Sequence, residues 1–346
     1  MNIAIIGAGA IGSVVAGYLA KAGEDVTLIG RPDHVKAIEQ HGLRIKGARG
    51  EETFRVKSLT QLDRPYDLII WSVKTQDIEN AVSQNKKFLN SGLILSAQNG
   101  VRADKILSEF FPKERLISSI VMFGATYVKP GEATFNFEGD WILGNFFAPN
   151  NEGVSELTKI LEKAFPIVIS ENIVGMKYLK LFVNFNNCIP ALIGKSMQET
   201  FADLDLCRLS ILLLKEGVDI VKKAGIELVS MPKFPVERIY GLTQMPLEQA
   251  AGIINKTLTT LSKEPLYGSI LQSIMRGRPS EIDYINGEVV RLAKEKGLTA
   301  PLNEKIVELV HEVESTRQFF SKEKLKEQMG FILRAESRSA QNLSSR

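Results

Sequence analysis

The sequence has few of the residues that hold disulfide-rich or metal-dependent proteins together. Cys188 and Cys207 are the two cysteines among 346 residues, which excludes a disulfide framework and favours a reducing, cytoplasmic location. The three histidines, His34, His41 and His311, form no recognisable metal-ligand spacing. We therefore expect no metal site and a fold that depends on apolar cores.

A strong net charge and long apolar runs are also lacking. Lys and Arg number 43 and Asp and Glu number 40, and the resulting net charge of +3 is too small to favour nucleic acid as a partner. No apolar run is long enough to span a membrane, so we expect no leader and no membrane association. The length suits two domains.

The first thirty-one residues carry the strongest motif. An apolar run at residues 2–6 has the length of a buried parallel strand, and Gly-Ala-Gly-Ala-Ile-Gly follows at residues 7–12. In such a turn Gly7 permits the tight bend, Gly9 lets the backbone approach a pyrophosphate, and Gly12 lets the helix pack on the strand. The helix N-terminus then offers N–H groups to the phosphates. The predicted cofactor-binding residues are Gly7, Ala8, Gly9, Ala10, Ile11 and Gly12. The alternative is a glycine-rich structural turn.

The end of the second predicted strand, at residues 25–29, indicates which dinucleotide binds. An NAD site usually has an acid there, bonded to the ribose hydroxyl. Here Gly30 and Arg31 follow, and the planar guanidinium of Arg31 can pair with a 2′-phosphate. We therefore expect NADPH. Two alternatives are that Arg31 is a solvated loop residue, or that Asp33 serves as the acid of an NAD site.

Residues 1–170 alternate predicted strands and helices, which is typical of an α/β domain with a Rossmann-like, doubly wound, mostly parallel sheet. Lys74 follows a strand at 66–73, and Asn99 follows one at 93–96. Ligands bind at the carboxyl ends of such strands, so both residues should lie near the cofactor. The alternatives are a solvated charge for Lys74 and a turn-forming role for Asn99.

Residues 171–346 predict an all-helical domain with a C-terminal extension from about residue 316. Helices are expected at 176–193 (interrupted by Pro190), 201–224, 247–261, 280–296 and 303–315, and an amphipathic helix from Phe319 to about Leu333 should pack on the domain surface. An α/β half followed by a helical half suggests a substrate cleft between them. The apolar helical faces are compatible with a homodimer.

Lys180 lies in an apolar helical stretch. Asn184 and Asn187 are four and seven residues further on, so all three share one face. A lysine there must reach solvent, find a partner or face a polar cavity. Three readings stay open: catalysis by Lys180, snorkelling of Lys180 to the surface, or catalysis by Lys177. If Lys180 is the catalyst, replacing Lys177 should have only a mild effect on turnover.

A second polar segment begins at Ser280, a plausible helix N-cap. Glu281 would then lie in the first turn, where it can complement the helix dipole. Alternatively, it could face a lysine across a cleft, and such a pair could hold and protonate a carbonyl oxygen.

These motifs together resemble the ketopantoate reductase (2-dehydropantoate 2-reductase) family over residues 1 to about 315. The features that carry the resemblance are the glycine motif, Lys74, Gln98-Asn99-Gly100, Lys180-x-x-x-Asn184, and Ser269 twelve residues before Glu281-Ile-Asp-Tyr-Ile-Asn-Gly. The resemblance implies an oxidoreductase with its active site between the domains. It would reduce a 2-keto acid with NADPH, ketopantoate to pantoate, for pantothenate and coenzyme A synthesis.

The resemblance also assigns roles to single residues. It implies that Lys180 is the general acid and that Glu281 helps to hold the reacting oxygen. The other implied roles are substrate binding for Asn184 and Ser269, contact with nicotinamide and substrate for Asn99, and contact with the cofactor for Lys74.

Two positions depart from the family pattern. Cys188 stands where the family usually has a second asparagine, and Ser273 stands where it often has an acid. At about 100° per residue, Asn187 lies nearer the direction of Lys180 than Cys188 does, so we expect Asn187 to bind substrate instead.

Two rival functions follow. One is a reductase of a different branched 2-keto acid, and the other is a non-catalytic NADP(H)-sensing module. The presence of Lys180, Asn184 and Glu281 together argues against the sensor, since dinucleotide binding needs none of them.

Overall fold

The computed structural model describes residues 1–330. The chain separates into two compact units, Met1–Lys177 and Tyr178–Arg346. The first combines strands and helices, and the described residues of the second are helical apart from an isolated bridge between Met231 and Phe234. The predicted fold class, an α/β unit followed by a helical unit, is confirmed.

The first unit contains two β-sheets and the helices that cover them. Its strands are β1 (Asn2–Ile6), β2 (Asp25–Ile29), β3 (Leu43–Gly47), β4 (Gly50–Phe54), β5 (Lys57–Leu59), β6 (Leu68–Trp71), β7 (Leu93–Ser96), β8 (Leu116–Val121), β9 (Gly124–Lys129), β10 (Glu132–Phe137), β11 (Trp141–Gly144) and β12 (Ile167–Ile169). Its helices are α1 (Ala10–Lys21), α2 (Pro32–His41), α3 (Ile78–Asn85), α4 (Arg102–Phe110) and α5 (Glu152–Leu161).

The large sheet has the strand order β12-β11-β8-β7-β6-β1-β2-β5. The strands β8, β7, β6, β1, β2 and β5 run parallel to their neighbours in this order, whereas β11 is antiparallel to β8. The chain passes from β1 to one side through β2 and β5, and returns to the other side through β6 and β7. Strand order therefore reverses between β1 and β6, which is where doubly wound sheets bind their ligands.

Strand β1 shows why this sheet is covered on both faces. Ile3 and Ile5 pack into one apolar cluster, whereas Ala4 and Ile6 pack into the other. Because successive side chains of a strand point to opposite faces, a continuous apolar run is what a doubly covered strand requires. The smaller sheet, with the order β4-β3-β10-β9, contributes to the first of these clusters.

From residue 173 the chain is helical. The helices are α6 (Ile173–Asn184), α7 (Cys188–Ile193), α8 (Met197–Phe201), α9 (Leu204–Lys223), α10 (Glu237–Gln244), α11 (Leu247–Thr259), α12 (Ser269–Met275), α13 (Asn286–Glu295) and α14 (Pro301–Thr316). Residues 322–330 form a further helical segment, α15. None of the helices within residues 1–330 combines the length and apolarity needed to cross a membrane.

Three predicted helices differ from the observed ones. The helix expected at 176–193 is divided into α6, a 3-10 turn at Phe185–Asn187, and α7. The helix expected at 280–296 is a 3-10 turn at Ile282–Tyr284 followed by α13. The helix expected at 201–224 is α9, which α8 precedes as a separate short helix.

The described part of the C-terminal extension packs on the second unit, and its helix begins at residue 322, three residues later than the Phe319 start expected. Phe320, Leu325 and Met329 are buried there. The end expected near Leu333 lies outside the described residues.

Candidate active site

The glycine turn after β1 is held by the strands beside it. Gly7 has φ of +118°, and a Cβ there would lie 2.5 Å from the backbone nitrogen of Val73. A Cβ on Gly12 would overlap the carbonyl oxygen of Gly7. The Ser72 hydroxyl donates to that same oxygen at 2.8 Å. Both positions therefore need glycine for the turn itself, with or without a ligand.

Gly9 is different, because a Cβ there would meet no atom within 4 Å. It precedes α1, whose first turn has no acidic residue and no side-chain cap. The first N–H groups of a helix lack intrahelical partners, so this end of α1 presents donors and a positive dipole to open space. An anion such as a pyrophosphate fits this arrangement.

Two buried polar groups follow the neighbouring strands. Thr75 comes after β6 and Gln98 after β7, and both side chains are buried. Within residues 1–330, neither Thr75 Oγ1 nor Gln98 Nε2 has a hydrogen-bond partner. Since an unpaired buried polar group is costly, these groups fit a ligand at the carboxyl edge of the sheet. The motif Gln98-Asn99-Gly100 includes Gln98 but indicates no role for it, and no sequence pattern points to Thr75.

Lys74 and Asn99 occupy the same edge of the sheet. Lys74 is half-buried and starts the 3-10 turn after β6, whereas Asn99 is exposed in the turn after β7. The strands β6 and β7 are adjacent and parallel, so both residues lie at the same carboxyl edge of the sheet.

The tip of β2 carries Arg31 at the start of α2. Its guanidinium Nε lies 4.0 Å from Asp33 Oδ1, and both side chains are more than half exposed, at 57% and 56%. Gly30 makes room for the turn, because a Cβ there would lie 2.5 Å from Ala8 Cβ. Both the basic and the acidic candidate for ribose recognition are therefore accessible at this tip.

The two lysines of α6 have different surroundings. Lys177 is buried, and its ammonium donates to Asp104 Oδ2 of α4, which is also buried. Lys180 is half-buried, and no carboxylate of the described chain forms an ion pair with it. Burial lowers the pKa of Lys180. Lys177 thus has a structural partner, whereas Lys180 combines partial burial with the lack of an ion-pair partner among the described residues.

Gly217 of α9 fixes the orientation of the C-terminal part of α6. A Cβ there would lie 2.8 Å from the rings of both Phe182 and Phe185, which pack against each other at 4.9 Å between centroids. Two residues along a helix correspond to about 200°, so burying Phe182 turns Lys180 away from α9. The packing on α9 therefore leaves the side of α6 that carries Lys180 open to solvent or to a ligand.

The 3-10 turn after α6 places Asn187 in line with Asn184. Residues three apart eclipse each other in a 3-10 helix, so both amides project to the same side, and both are half-buried. Cys188 is fully buried, and its Sγ donates to the Phe185 carbonyl oxygen at 3.0 Å. Burial raises the pKa of the Cys188 thiol to about 12, so it remains a neutral core group.

Asn187 also contacts the segment that carries Ser269. A Cβ on Gly268 would lie 2.6 Å from Asn187 Oδ1, so Asn187 can lie there because position 268 is glycine. Ser269 is exposed and begins α12. The structure therefore brings the predicted substrate residues Asn187 and Ser269 to neighbouring positions.

Glu281 is half-buried and comes directly before the 3-10 turn Ile282–Tyr284. It does not lie in the first turn of an α-helix, since α13 begins at Asn286, so dipole complementation does not explain it. The Ser280 hydroxyl accepts the Ile282 N–H at 3.2 Å, and the Ser280 N–H donates to Glu314 Oε1 at 2.6 Å.

His311 holds the other side of this turn. Its Nε2 lies 3.0 Å from Asp283 Oδ1, and its Nδ1 lies 3.0 Å from Glu314 Oε2. Burial lowers the pKa of His311, but the hydrogen bonds to Asp283 and Glu314 outweigh it, so its pKa is raised. The segment around Glu281 is thus tied to α14 on both sides.

No group of three or more histidine, cysteine or acidic side chains among residues 1–330 has the arrangement of a metal site. Both cysteines are free thiols in the interior.

Comparisons with known proteins cover most of the chain. The family model "Ketopantoate reductase PanE/ApbA" matches residues 3–147, and "Ketopantoate reductase PanE/ApbA C terminal" matches residues 172–314. The 2-dehydropantoate 2-reductase of Pyrococcus horikoshii is 34% identical over 320 residues, which covers 91% of this chain and 98% of the relative.

The fold of this chain is also similar to the folds of solved structures. A PanE/ApbA family ketopantoate reductase from Ralstonia eutropha has a TM-score of 0.77 and 28% identity, covering 92% of this chain and 100% of that one. A complex of D-mandelate dehydrogenase with NADH has a TM-score of 0.76 and 25% identity, covering 91% of this chain and 99% of that one.

Proposed function

The chain belongs to the ketopantoate reductase family, and from this we propose that it reduces ketopantoate to pantoate with NADPH. The observation that carries the proposal is the contrast between the two lysines of α6. Lys177 is committed to a buried ion pair with Asp104, whereas Lys180 is half-buried without a carboxylate partner in the described chain. A dinucleotide sensor would need no such lysine.

Lys180 serves as the proton donor in this proposal. The nicotinamide of the cofactor supplies the hydride that reduces the keto carbon. Negative charge then grows on the carbonyl oxygen, and the Lys180 ammonium stabilises it and transfers its proton to that oxygen. The C=O double bond becomes a C–O single bond, the carbon gains the hydride as a new C–H bond and the oxygen gains the proton as a new O–H bond. Solvent then returns a proton to the lysine amine.

The other residues of the second unit bind and orient the substrate. The amides of Asn184 and Asn187 project to one side and can hydrogen-bond the keto acid, together with the Ser269 hydroxyl. Glu281 helps to hold the reacting oxygen, and its position is supported by Ser280 and Asp283 on either side. Orientation of this kind accounts for a large part of enzymatic rate enhancement.

The cofactor is held by the first unit. The backbone around Gly9 and the N-terminus of α1 would bind the pyrophosphate. Lys74, Asn99 and the polar groups of Thr75 and Gln98 would line the rest of the site. Arg31 would pair with the 2′-phosphate of NADPH.

NADH is the alternative cofactor, since the related D-mandelate dehydrogenase structure contains it. In that case Asp33, exposed beside Arg31, would bond the ribose hydroxyls. The absence of an acid at the tip of β2 itself favours NADPH.

A panel assay tests the proposal. Wild-type protein is mixed with NADPH and a series of 2-keto acids that includes ketopantoate, pyruvate and phenylglyoxylate, and cofactor oxidation is followed. We expect ketopantoate to give the highest kcat/KM. Preference for another 2-keto acid would keep the reaction and change the substrate, and no turnover with any of them would contradict the proposed function.

A further inference from the structure

Residues 317–330, which we call the strap, lie outside the family model. The C-terminal model ends at residue 314. The Pyrococcus horikoshii relative is covered over 98% of its length while 91% of this chain is aligned. The family reaction therefore does not by itself explain why the strap is there.

The strap covers the end of α7. Gly194 ends this helix with φ of +67°, and a Cβ there would lie 2.7 Å from the ring of Phe319. The Phe320 N–H donates to the Leu192 carbonyl oxygen at 2.9 Å. The last carbonyl groups of a helix need partners from outside it, and here the strap supplies one.

Arg317 joins the strap to α12. It adopts φ of +58°, which ends α14, and its Nη1 donates to the Ile274 carbonyl oxygen in the last turn of α12 at 2.7 Å. A cation at this end of a helix is favourable for the helix dipole. With seven residues, α12 is too short to be stable without such contacts.

Further contacts hold the strap in place. Leu325 and Met329 are fully buried. Lys326 Nζ lies 2.9 Å from carboxylate oxygens of both Asp203 and Asp205 at the start of α9. The strap is therefore docked independently of Arg317.

The predicted substrate residues lie at the N-terminal ends of α7 and α12, opposite the C-terminal ends that the strap contacts. Asn187 directly precedes α7, Ser269 begins α12, and Asn187 contacts Gly268 between them. Any shift of α7 against α12 would change the distance between the two substrate groups.

We propose that Arg317 is a positioning residue for the substrate pocket, because it anchors α12 to a strap that also caps α7, and so sets the spacing of Asn187 and Ser269. This inference rests on the proposed function for its effect on catalysis. Its structural part, the anchoring of α12, does not.

The kinetic test replaces Arg317 with glycine. Arg317→Gly keeps the positive φ, since glycine adopts it freely, and removes the guanidinium. We expect the KM for ketopantoate to rise about tenfold while the kcat and the KM for NADPH change less than about twofold, as for a loss of substrate binding. An unchanged KM for the keto acid would overturn the proposal.

Lys326→Ala is the matched control, because it removes a cation of the strap that contacts neither α7 nor α12. We expect its KM for ketopantoate to remain at the wild-type value. An equal rise of KM in both variants would contradict the specific role of Arg317.

Hydrogen–deuterium exchange separates this inference from the proposed function. Arg317→Gly should speed amide exchange in peptides from α12, whereas Lys326→Ala should not. Faster exchange in a protein that reduces no 2-keto acid would support the anchoring and reject the function. Unchanged exchange in an active enzyme would reject the anchoring alone.

Discussion

Lys177 and Lys180 lie one turn apart on α6, and their surroundings give them different tasks. The ammonium of Lys177 and the carboxylate of Asp104 are both buried and bonded to each other. Charges that have left water are stable there only as a pair. Lys180 has lost part of its hydration without gaining a carboxylate, so its ammonium can give up a proton more easily than a surface lysine.

Lys177→Ala should therefore destabilise the fold. The sequence predicts only a mild effect of this substitution on turnover and gives no expectation for stability. In the structure the substitution leaves the Asp104 carboxylate buried without its partner. We expect a loss of about 3–5 kcal/mol of unfolding free energy, measured by urea denaturation. The double variant Lys177→Met/Asp104→Leu should recover much of it. Wild-type stability for Lys177→Ala would show that the pair does not form.

Arg31 provides the test of cofactor choice. Arg31→Ala should raise the KM for NADPH about tenfold or more, because a charge-assisted contact contributes roughly 1.5–3 kcal/mol. NADH, which lacks the 2′-phosphate, serves as the internal control, and its use should hardly change. Steady-state kinetics with both cofactors give the answer. Equal use of NADPH and NADH by the wild type would contradict this assignment.

At the scale of elements, the 3-10 turn at Phe185–Asn187 would decide which side chain reaches the substrate in the proposed site. Pro190 has no N–H, so a continuous α-helix would leave the Asn186 carbonyl unpaired and in collision with the proline ring. The turn before α7 avoids this conflict. It also leaves Asn187 half-exposed while Cys188 enters the core.

Gly268→Ala should weaken substrate binding through Asn187. The new Cβ would lie 2.6 Å from Asn187 Oδ1, so the amide must move. We expect the KM for the keto acid to rise about as much as in Asn187→Ala, with the KM for NADPH unchanged, because one hydrogen-bonding group is lost. Substrate titrations at saturating NADPH measure this.

The matched control is Gly252→Ala in α11, where a Cβ meets no atom within 4 Å. It should behave as the wild type, and Cys188→Ala should affect packing more than KM. A raised KM in Cys188→Ala with a normal Asn187→Ala would move the substrate contact to position 188.

Local patterns predicted much of this fold and site. The glycine turn, β1, β2 and α1 follow from residues close in sequence, each with its own steric requirement, such as the positive φ of Gly7. The sequence predicted an interruption of the first helix at Pro190, but not the 3-10 turns at Phe185–Asn187 and Ile282–Tyr284, because α-helical and 3-10 turns have the same apolar spacing over three residues. Sequence also held no signal for the pair of Lys177 with Asp104, which are 73 residues apart.

At the scale of the whole molecule, activity should depend on pH through the lysine. In the proposed mechanism the ammonium form of Lys180 is the active acid, so activity should be present below its pKa and lost above it. Because burial lowers that pKa, kcat/KM should begin to fall below pH 10.5, the ordinary value for lysine. Lys180→Arg, whose guanidinium stays charged, should be slow and lack this limb. A wild-type profile that is flat up to pH 10.5 would contradict the assignment.

The most direct measurement compares the kcat of wild-type protein and Lys180→Ala with ketopantoate and NADPH at saturation. General acid catalysis is typically worth about 10²–10⁴-fold, so Lys180→Ala should lose at least roughly a hundredfold in kcat while it keeps its affinity for NADPH. Lys223→Ala, which removes an exposed lysine paired with Asp219 on α9, should keep the wild-type kcat. Near-normal turnover by Lys180→Ala would contradict the central claim that this lysine protonates the substrate.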